Sequence, residues 1–292
     1  MKVIITGAAG QVGRALLKTI PATAAAIGLT RAQLDIGDAQ AVMNVVQSER
    51  PDLIISAGAY TAVDKAESEP QVAERANCVG PRNLAQAARD SGARLLHIST
   101  DFVFDGSSSR PYRTDATPNP QSTYGRTKRG GEESVLQVLP DSSIVLRTAW
   151  VYAADGSNFV RTMLRLMGSK GHVRVIADQV GTPTAASSLA AAIWALANRP
   201  DLTGIHHWTD LGVASWYDFA VAIAEESAAI GLLPATVRVD PITTEEYPTP
   251  AKRPAYSVLD KRSLLGNLAV PAQHWRVNLR TVLREIAATS TA

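Results

Sequence analysis

Cysteine is nearly absent: Cys78 is the single one among 292 residues. No disulfide can form within the chain, which suits a reducing compartment, and Cys78 reads as a small hydrophobe of the interior. Charge of one sign is also missing. Lys and Arg total 29 against 27 Asp and Glu, a net charge of +2, so neither a nucleic-acid binder nor a polybasic membrane anchor is indicated. Aromatic residues make up only 5% and do not interleave with basic ones. No apolar run is long enough to span a bilayer. "PATAAAIGL" is short and alanine-rich, and only four residues separate Lys2 from Gly7, too few for a signal-peptide core. A cytoplasmic protein without membrane or nucleic-acid partners is expected.

What is present is an ordinary globular composition, 46% hydrophobic and 19% charged, with length for one large domain or two modest ones. The first half alternates short apolar runs with helical periodicity. "KVIIT" reads as a buried strand, followed by a helix from about Gln11 to Ile20. "AAIGLT" is a second strand, and "DAQAVMNVVQSE" has helical spacing with Asp38 as its N-cap. "DLIISA" is a third strand. A long helical stretch, about Pro70 to Ser91, leads into "ARLLHIST"; a helix at "STYGRTK" precedes "SIVLRTA". Apolar strands separated by helices predict an α/β fold, a Rossmann-like parallel sheet with helices on both faces. "VRVIADQ" and a helix from about Ala185 to Asn198 are expected to extend that sheet.

The later part is different. "TTEEYPTPAKRPAYSVLD" is proline-rich and non-periodic, flanked by the helical patterns "SWYDFAVAIAEESAAI" and "NLRTVLREIAA". This predicts a nucleotide-binding domain over 1–150, rejoined by 173–200. Residues 151–292 then form mainly a smaller C-terminal substrate-binding lobe, with a loop able to close over a ligand.

Two constellations carry chemistry. In "TGAAGQVG", Gly7, Gly10 and Gly13 follow the first strand and open a helix. Small residues there let the backbone turn tightly and approach a pyrophosphate, and the helix N-terminus offers free N–H groups. The spacing is G-x-x-G-x-x-G rather than the tighter G-x-G-x-x-G. After the second strand, where an NAD-selective site places an acid, the chain has Thr30 and Arg31. A guanidinium suits a 2′-phosphate, so NADPH is the expected cofactor, with NADH a second donor still open. Asp35 and Ile36 follow, placed to meet the adenine.

The second constellation lies at the carboxyl end of a strand, in "HISTDFVFDG", where parallel sheets bind ligands. Ser99, Thr100 and Asp101 offer hydroxyl and carboxyl groups. Tyr124 and Lys128 lie four apart on one helical face. A phenol has a free pKa of about 10, so a neighbouring ammonium that lowers it would help it move a proton.

With these motifs the chain resembles the extended short-chain dehydrogenases/reductases and, within them, the dTDP-4-dehydrorhamnose reductases. The segments "TGAAGQVG", "AYTAVDKAESEP", "STDFVFDG", "STYGRTK", "RTAWVYA", "GSNFVRTML", "DQVGTPT" and "YPTPAKRPAYSVLD" follow that family's order over nearly the whole chain. The resemblance implies reduction of a 4-keto group on a nucleotide sugar. It implies Tyr124 as proton donor, with Lys128 lowering its pKa and holding the nicotinamide ribose. Thr100 stands in place of the superfamily's usual serine. Gly10, Gln11 and Val12 match the phosphate contacts; Ala59, Tyr60 and Thr61 match the segment passing the cofactor's ribose and nicotinamide. Thr100 and Asp101 match the substrate-facing pair, Trp150 a residue that packs on substrate, and Arg253 could meet the nucleotide diphosphate. Some members of the family use magnesium held partly by a glutamate on the first helix; "QVGRALLKTI" has no carboxylate, and no metal site is expected.

Two rivals remain at this level. A dehydratase or epimerase of the same superfamily would be served by Asp–Glu after the threonine, where this chain has Asp101–Phe102. A non-catalytic NADP-binding regulatory subunit is opposed by the intact Tyr124 and Lys128. Monomer and homodimer are both compatible with the sequence.

Overall fold

The computed structural model describes residues 1–290; the last two residues of the C-terminal lobe expected over 151–292 lie outside it. The first half runs β1 (Lys2–Thr6), α1 (Gln11–Lys18), β2 (Ala25–Leu29), α2 (Ala39–Glu49), β3 (Leu53–Ser56), α3 (Val63–Ala66) and α4 (Pro70–Glu74). A π-helical turn, Arg75–Val79, then leads into α5 (Gly80–Ser91), β4 (Arg94–Thr100), a 3₁₀ turn at Asp101–Val103, α6 (Thr123–Val138) and β5 (Ser143–Thr148). The second half runs β6 (Val151–Tyr152), α7 (Phe159–Lys170), β7 (His172–Ile176), β8 (Val180–Gly181), β9 (Thr184–Ala185) and α8 (Ala186–Ala197). β10 (Gly204–His207), β11 (Ala214–Ser215), α9 (Trp216–Ala229), β12 (Arg238–Ile242) and α10 (Trp275–Ser290) complete it.

Among the described residues, six strands form one parallel sheet in the order β2-β1-β3-β4-β5-β10. The order reverses between β1 and β3, the point at which such sheets open a crevice at their carboxyl ends. Successive residues of the buried strands point to opposite faces. Ile4, Ile54, Leu95 and Val145 pack beneath Val42, Val46, Leu84 and Val135 of α2, α5 and α6. Val3, Ile5, Leu96 and Leu146 face α1 and α8 through Leu16, Leu189 and Ile193. Trp194 of α8 donates its Nε1–H to the Leu16 carbonyl at 3.2 Å, tying the two helices.

One expectation changes and one is refined. "VRVIADQ" does not extend the main sheet: β7 pairs in parallel with β12 in a separate two-stranded sheet. Its burial alternates, exposed and buried by turns, as fits a strand covered on one face, not two. The sixth strand of the main sheet is instead β10, short and histidine-containing, beside β5. The helix from Pro70 to Ser91 is continuous but widened by the π turn, which admits Pro81, a residue with no N–H for a regular ladder.

A second core joins α7, α9, α10 and β7 through Val160, Met163, Phe219, Ile223, Leu279 and Leu283. The proline-rich tail touches both halves of the chain. Ser257, Val258 and Leu259 are buried, and Tyr256 and Leu259 bridge to Val180 and Tyr112 respectively.

Candidate active site

At the reversal of the sheet, Gly7 has φ +70°, and a Cβ there would stand 2.5 Å from the Gly58 nitrogen, so only glycine fits. Gly13 of α1 lies against the Gly7 carbonyl with no room for a side chain. Gly10 is the N-cap of α1 and has no side-chain cap, which leaves the helix N-terminus at Gln11, Val12 and Gly13 to a ligand. The strand-to-helix cradle therefore fits a pyrophosphate. Two contacts from the second half reach α1 beside it. Asn158 donates to Gln11 Oε1 at 2.9 Å, and Arg14 pairs with Asp155 at 2.9 Å. Neither is visible in the glycine motif.

Arg31 lies exposed in the turn after β2, a turn fixed by Gln33, which accepts from the Thr30 nitrogen at 2.9 Å. Asp35 is engaged by the protein: it accepts from the Gly37 nitrogen at 2.9 Å and pairs with Arg75 at 3.0 Å. The Gly37 hydrogen bond and the Arg75 guanidinium hold its carboxyl below the usual range despite partial burial. Ile36 is buried against Gly80 and makes an apolar wall. Arg75, a second cation beside this corner, was not singled out by the sequence.

Ala59, Tyr60 and Thr61 follow β3. Their position depends on Asn77, in the π turn and fully buried. Asn77 Oδ1 accepts from the Tyr60 nitrogen at 2.8 Å; its Nδ2 donates to the Tyr60 carbonyl at 3.0 Å and to Thr127 Oγ1 at 3.2 Å. It ties this loop to α6. An asparagine inside a helical run was the one available signal. Tyr60 donates its hydroxyl to Glu69 at 2.7 Å.

α6 begins at Ser122, whose Oγ accepts from the Gly125 nitrogen at 3.1 Å. Gly125 is pressed on the Phe102 carbonyl, which seats the helix on the 3₁₀ turn. Tyr124 is half-buried with its ring edge-on to Phe102, 5.5 Å between centroids. Its phenol faces Thr100 and Asp101, which act on its charge in opposite directions, and Thr100 donates its hydroxyl to Asp101 Oδ1 at 3.0 Å. One turn on, Lys128 is buried, donating Nζ to the Ile98 carbonyl at 2.6 Å and lying 3.4 Å from His97 Nε2. Thr100, Tyr124 and Lys128 are thus brought together at the carboxyl end of β4.

Burial dominates the electrostatics of this group. Burial pushes Tyr124 up to about 12, against a Thr100 hydrogen bond and with the Asp101 charge adding to the rise. Lys128 itself is brought down to about 8 by burial, with Glu132 opposing. The phenol therefore rests as a loaded acid. Asp101, also buried, is pushed up to about 6, opposed by the hydroxyls of Ser257 and Thr100.

Beneath this group lies a dry ion pair. Arg147 meets Glu132 through Nε at 2.8 Å and Nη2 at 2.6 Å, both side chains fully buried. Ser99 donates to the same carboxylate at 2.6 Å. Burial pushes Glu132 up, but Arg147, Ser99 and Arg129 together keep it below its usual value.

Trp150 has φ +48° and stacks on Trp216, with ring centroids 3.5 Å apart and planes 5° apart. Arg253 is bidentate on Asp64, at 2.9 and 2.7 Å, and bonds Thr249 Oγ1 at 2.6 Å. The segments "AYTAVDKAESEP" and "YPTPAKRPAYSVLD" are thereby joined. Among the described residues no group of three or more His, Cys, Asp or Glu is placed to hold a metal ion, and no helix is long and apolar enough to cross a membrane.

A doubly wound parallel sheet with a glycine cradle at its reversal and a Thr–Tyr–Lys group beside it defines a Rossmann-like reductase architecture of the extended short-chain type. Residues 1–288 match the RmlD substrate binding domain family, and the chain belongs to that family. A dTDP-4-dehydrorhamnose reductase of Streptomyces griseus is 44% identical, with 94% of this chain and 91% of that protein aligned. The crystal structure of a dTDP-4-dehydrorhamnose reductase from Clostridium acetobutylicum superposes with a TM-score of 0.92 at 40% identity, covering 98% of this chain and 100% of that one. The Bacillus anthracis dTDP-4-dehydrorhamnose reductase, solved in complex with NADP, gives 0.91 at 36% identity, covering 97% and 99%.

Proposed function

We propose that this chain reduces the 4-keto group of dTDP-4-dehydro-β-L-rhamnose with NADPH, giving dTDP-L-rhamnose in the last step of dTDP-rhamnose biosynthesis. The observation that carries this reading is the Thr100–Tyr124–Lys128 group beside the glycine cradle. NADPH, when bound, supplies the hydride that reduces the carbonyl carbon.

The chain supplies the rest. Gly7, Gly10, Gln11, Val12 and Gly13 hold the pyrophosphate, and Arg31 the 2′-phosphate. Asp35 and Ile36 border the adenine; Ala59, Tyr60 and Thr61 pass the ribose, whose hydroxyls Lys128 holds. As the carbonyl π bond breaks, its oxygen becomes alkoxide-like, and the Tyr124 hydroxyl gives it a proton. An alkoxide is a stronger base than a phenolate, so a phenol held near 12 stays loaded until that charge develops and still transfers downhill. Thr100 hydrogen-bonds the same oxygen. Lys128 and the positive charge of the oxidised cofactor favour the resulting phenolate until solvent returns its proton. Asp101 and Trp150 border the sugar, and Arg253 the nucleotide diphosphate. Cofactor binding falls to residues 1–150 with α8, and substrate binding mainly to the rest. The single cysteine fits a cytoplasmic location.

The test is NADPH oxidation by the purified chain with dTDP-4-dehydrorhamnose, with the product identified by mass spectrometry. Equimolar NADPH loss and a product two hydrogens heavier are expected. NADPH binding without turnover would leave a regulatory subunit; loss of water from the sugar without net oxidation would leave a dehydratase.

A further inference from the structure

His97 is a buried titratable residue that the chemistry above does not use. It lies on β4, three residues before Thr100, with no exposed surface. Its ring connects two elements: Nδ1 is 3.1 Å from Ser56 Oγ on β3, and Nε2 is 3.4 Å from Lys128 Nζ on α6. An ammonium can only donate, so the lone pair facing it is on Nε2. The ring proton is then on Nδ1 and donates to Ser56 Oγ.

We propose that His97 is a positioning residue for Lys128. The Ser56–His97 pair presents an unprotonated Nε2 which, with the Ile98 carbonyl, takes two of the ammonium's three N–H bonds and leaves the third for the ribose hydroxyls of the nicotinamide nucleotide. This rests on the ribose-holding role given to Lys128 above.

The surroundings make such a device necessary. Lys128 is 2% exposed, and burial favours its neutral form. The charged and titratable groups around it are mostly committed elsewhere. Glu132, one turn further along α6, is bonded to Arg147 of β5, to Arg129 and to Ser99. Tyr124, one turn back, faces Thr100 and Asp101. Two fixed acceptors, His97 Nε2 and the Ile98 carbonyl, thus aim the charge. The imidazole serves only while neutral, and burial together with the Lys128 charge holds it well below its ordinary pKa.

The experiment is calorimetric titration of NADP⁺, without substrate, between about pH 6 and 9 on wild type, His97→Leu, His97→Gln, Ser56→Ala and Lys128→Met. His97→Leu should weaken binding roughly tenfold at neutral pH, as for one lost charge-assisted hydrogen bond. It should also move the alkaline loss of affinity down by about one pH unit. His97→Gln, whose amide oxygen can accept from Lys128, should recover most of both effects. Ser56→Ala, which frees the opposite tautomer, should give a smaller shift in the same direction. A packing role alone would not move the pH limb. An unmoved limb in His97→Leu overturns the proposal provided Lys128→Met binds weakly; should His97→Leu not fold, an unmoved limb in Ser56→Ala does so. Wild-type affinity in Lys128→Met would instead remove the role of Lys128, and this inference with it.

Discussion

From Gly7 to Gly13 the chain presents bare backbone: an uncapped helix start and glycines that leave no room for a side chain. At Thr100, Tyr124 and Lys128 it presents side chains, Thr100 and Lys128 buried and Tyr124 half-buried, above a buried Glu132–Arg147 pair. The first region acts through shape, and its groups need no altered protonation. The second acts through charge in a dry setting, where burial moves Tyr124 and Lys128 towards their neutral forms. A phosphate site can stay near water because its donors are fixed by geometry. A proton donor that must stay loaded is better served by losing water.

If that contrast is right, damage to the two regions should differ in kind. The largest effect is expected at the foundation of the catalytic end. Glu132→Gln leaves the Arg147 charge buried and under-compensated, which typically costs about 3–5 kcal/mol; urea denaturation should show it, and an unchanged midpoint would make the pair incidental. Arg31→Ala should leave stability alone and weaken NADPH relative to NADH by about 1.5–3 kcal/mol, the worth of a well-formed charge-assisted contact. Equal changes in KM for both cofactors would show that Arg31 does not read the 2′-phosphate. Gly7→Ala forces an alanine to φ +70°, a cost of about 1–2 kcal/mol before any clash, and should reduce cofactor affinity with little change in the pH profile of what remains.

A pH-dependent effect sharpens the buried side of the contrast. Asp101 is raised from 3.8 to about 6 on folding. Its contribution to stability is therefore fully present below about pH 4 and lost as pH rises through about 6, because the folded state holds the proton more tightly. Asp101→Asn should then gain about 3 kcal/mol over wild type at pH 7, from about two units at 1.36 kcal/mol each, and nothing below about pH 4. A gain independent of pH would mean that burial of the charge is not the cause.

The same contrast separates what could be read in the chain from what could not. The glycine cradle and the Tyr124–Lys128 spacing are local, so periodicity and spacing expose them. The residues that complete each region come from far along the chain: Asn77 reaches Tyr60 across 17 positions, His97 reaches Ser56 across 41, and Asn158 reaches Gln11 across 147. Apolar character could mark β7 as a strand but not say which sheet it joins. β10, four residues with two histidines, carries too little pattern to be seen. The direction of the Tyr124 shift was hidden for a related reason. Helical spacing places an ammonium near a phenol, but the burial that pushes the phenol up to about 12 shows only in the packed surroundings.

The most direct test of the central claim is the single-turnover rate of NADPH oxidation by Tyr124→Phe with dTDP-4-dehydrorhamnose, with the NADPH Kd measured on the same sample. Loss of the proton donor with the ring retained should slow the step by roughly a hundredfold or more while Kd stays at its wild-type value. A wild-type rate at equal Kd would contradict the assignment of Tyr124 as the acid.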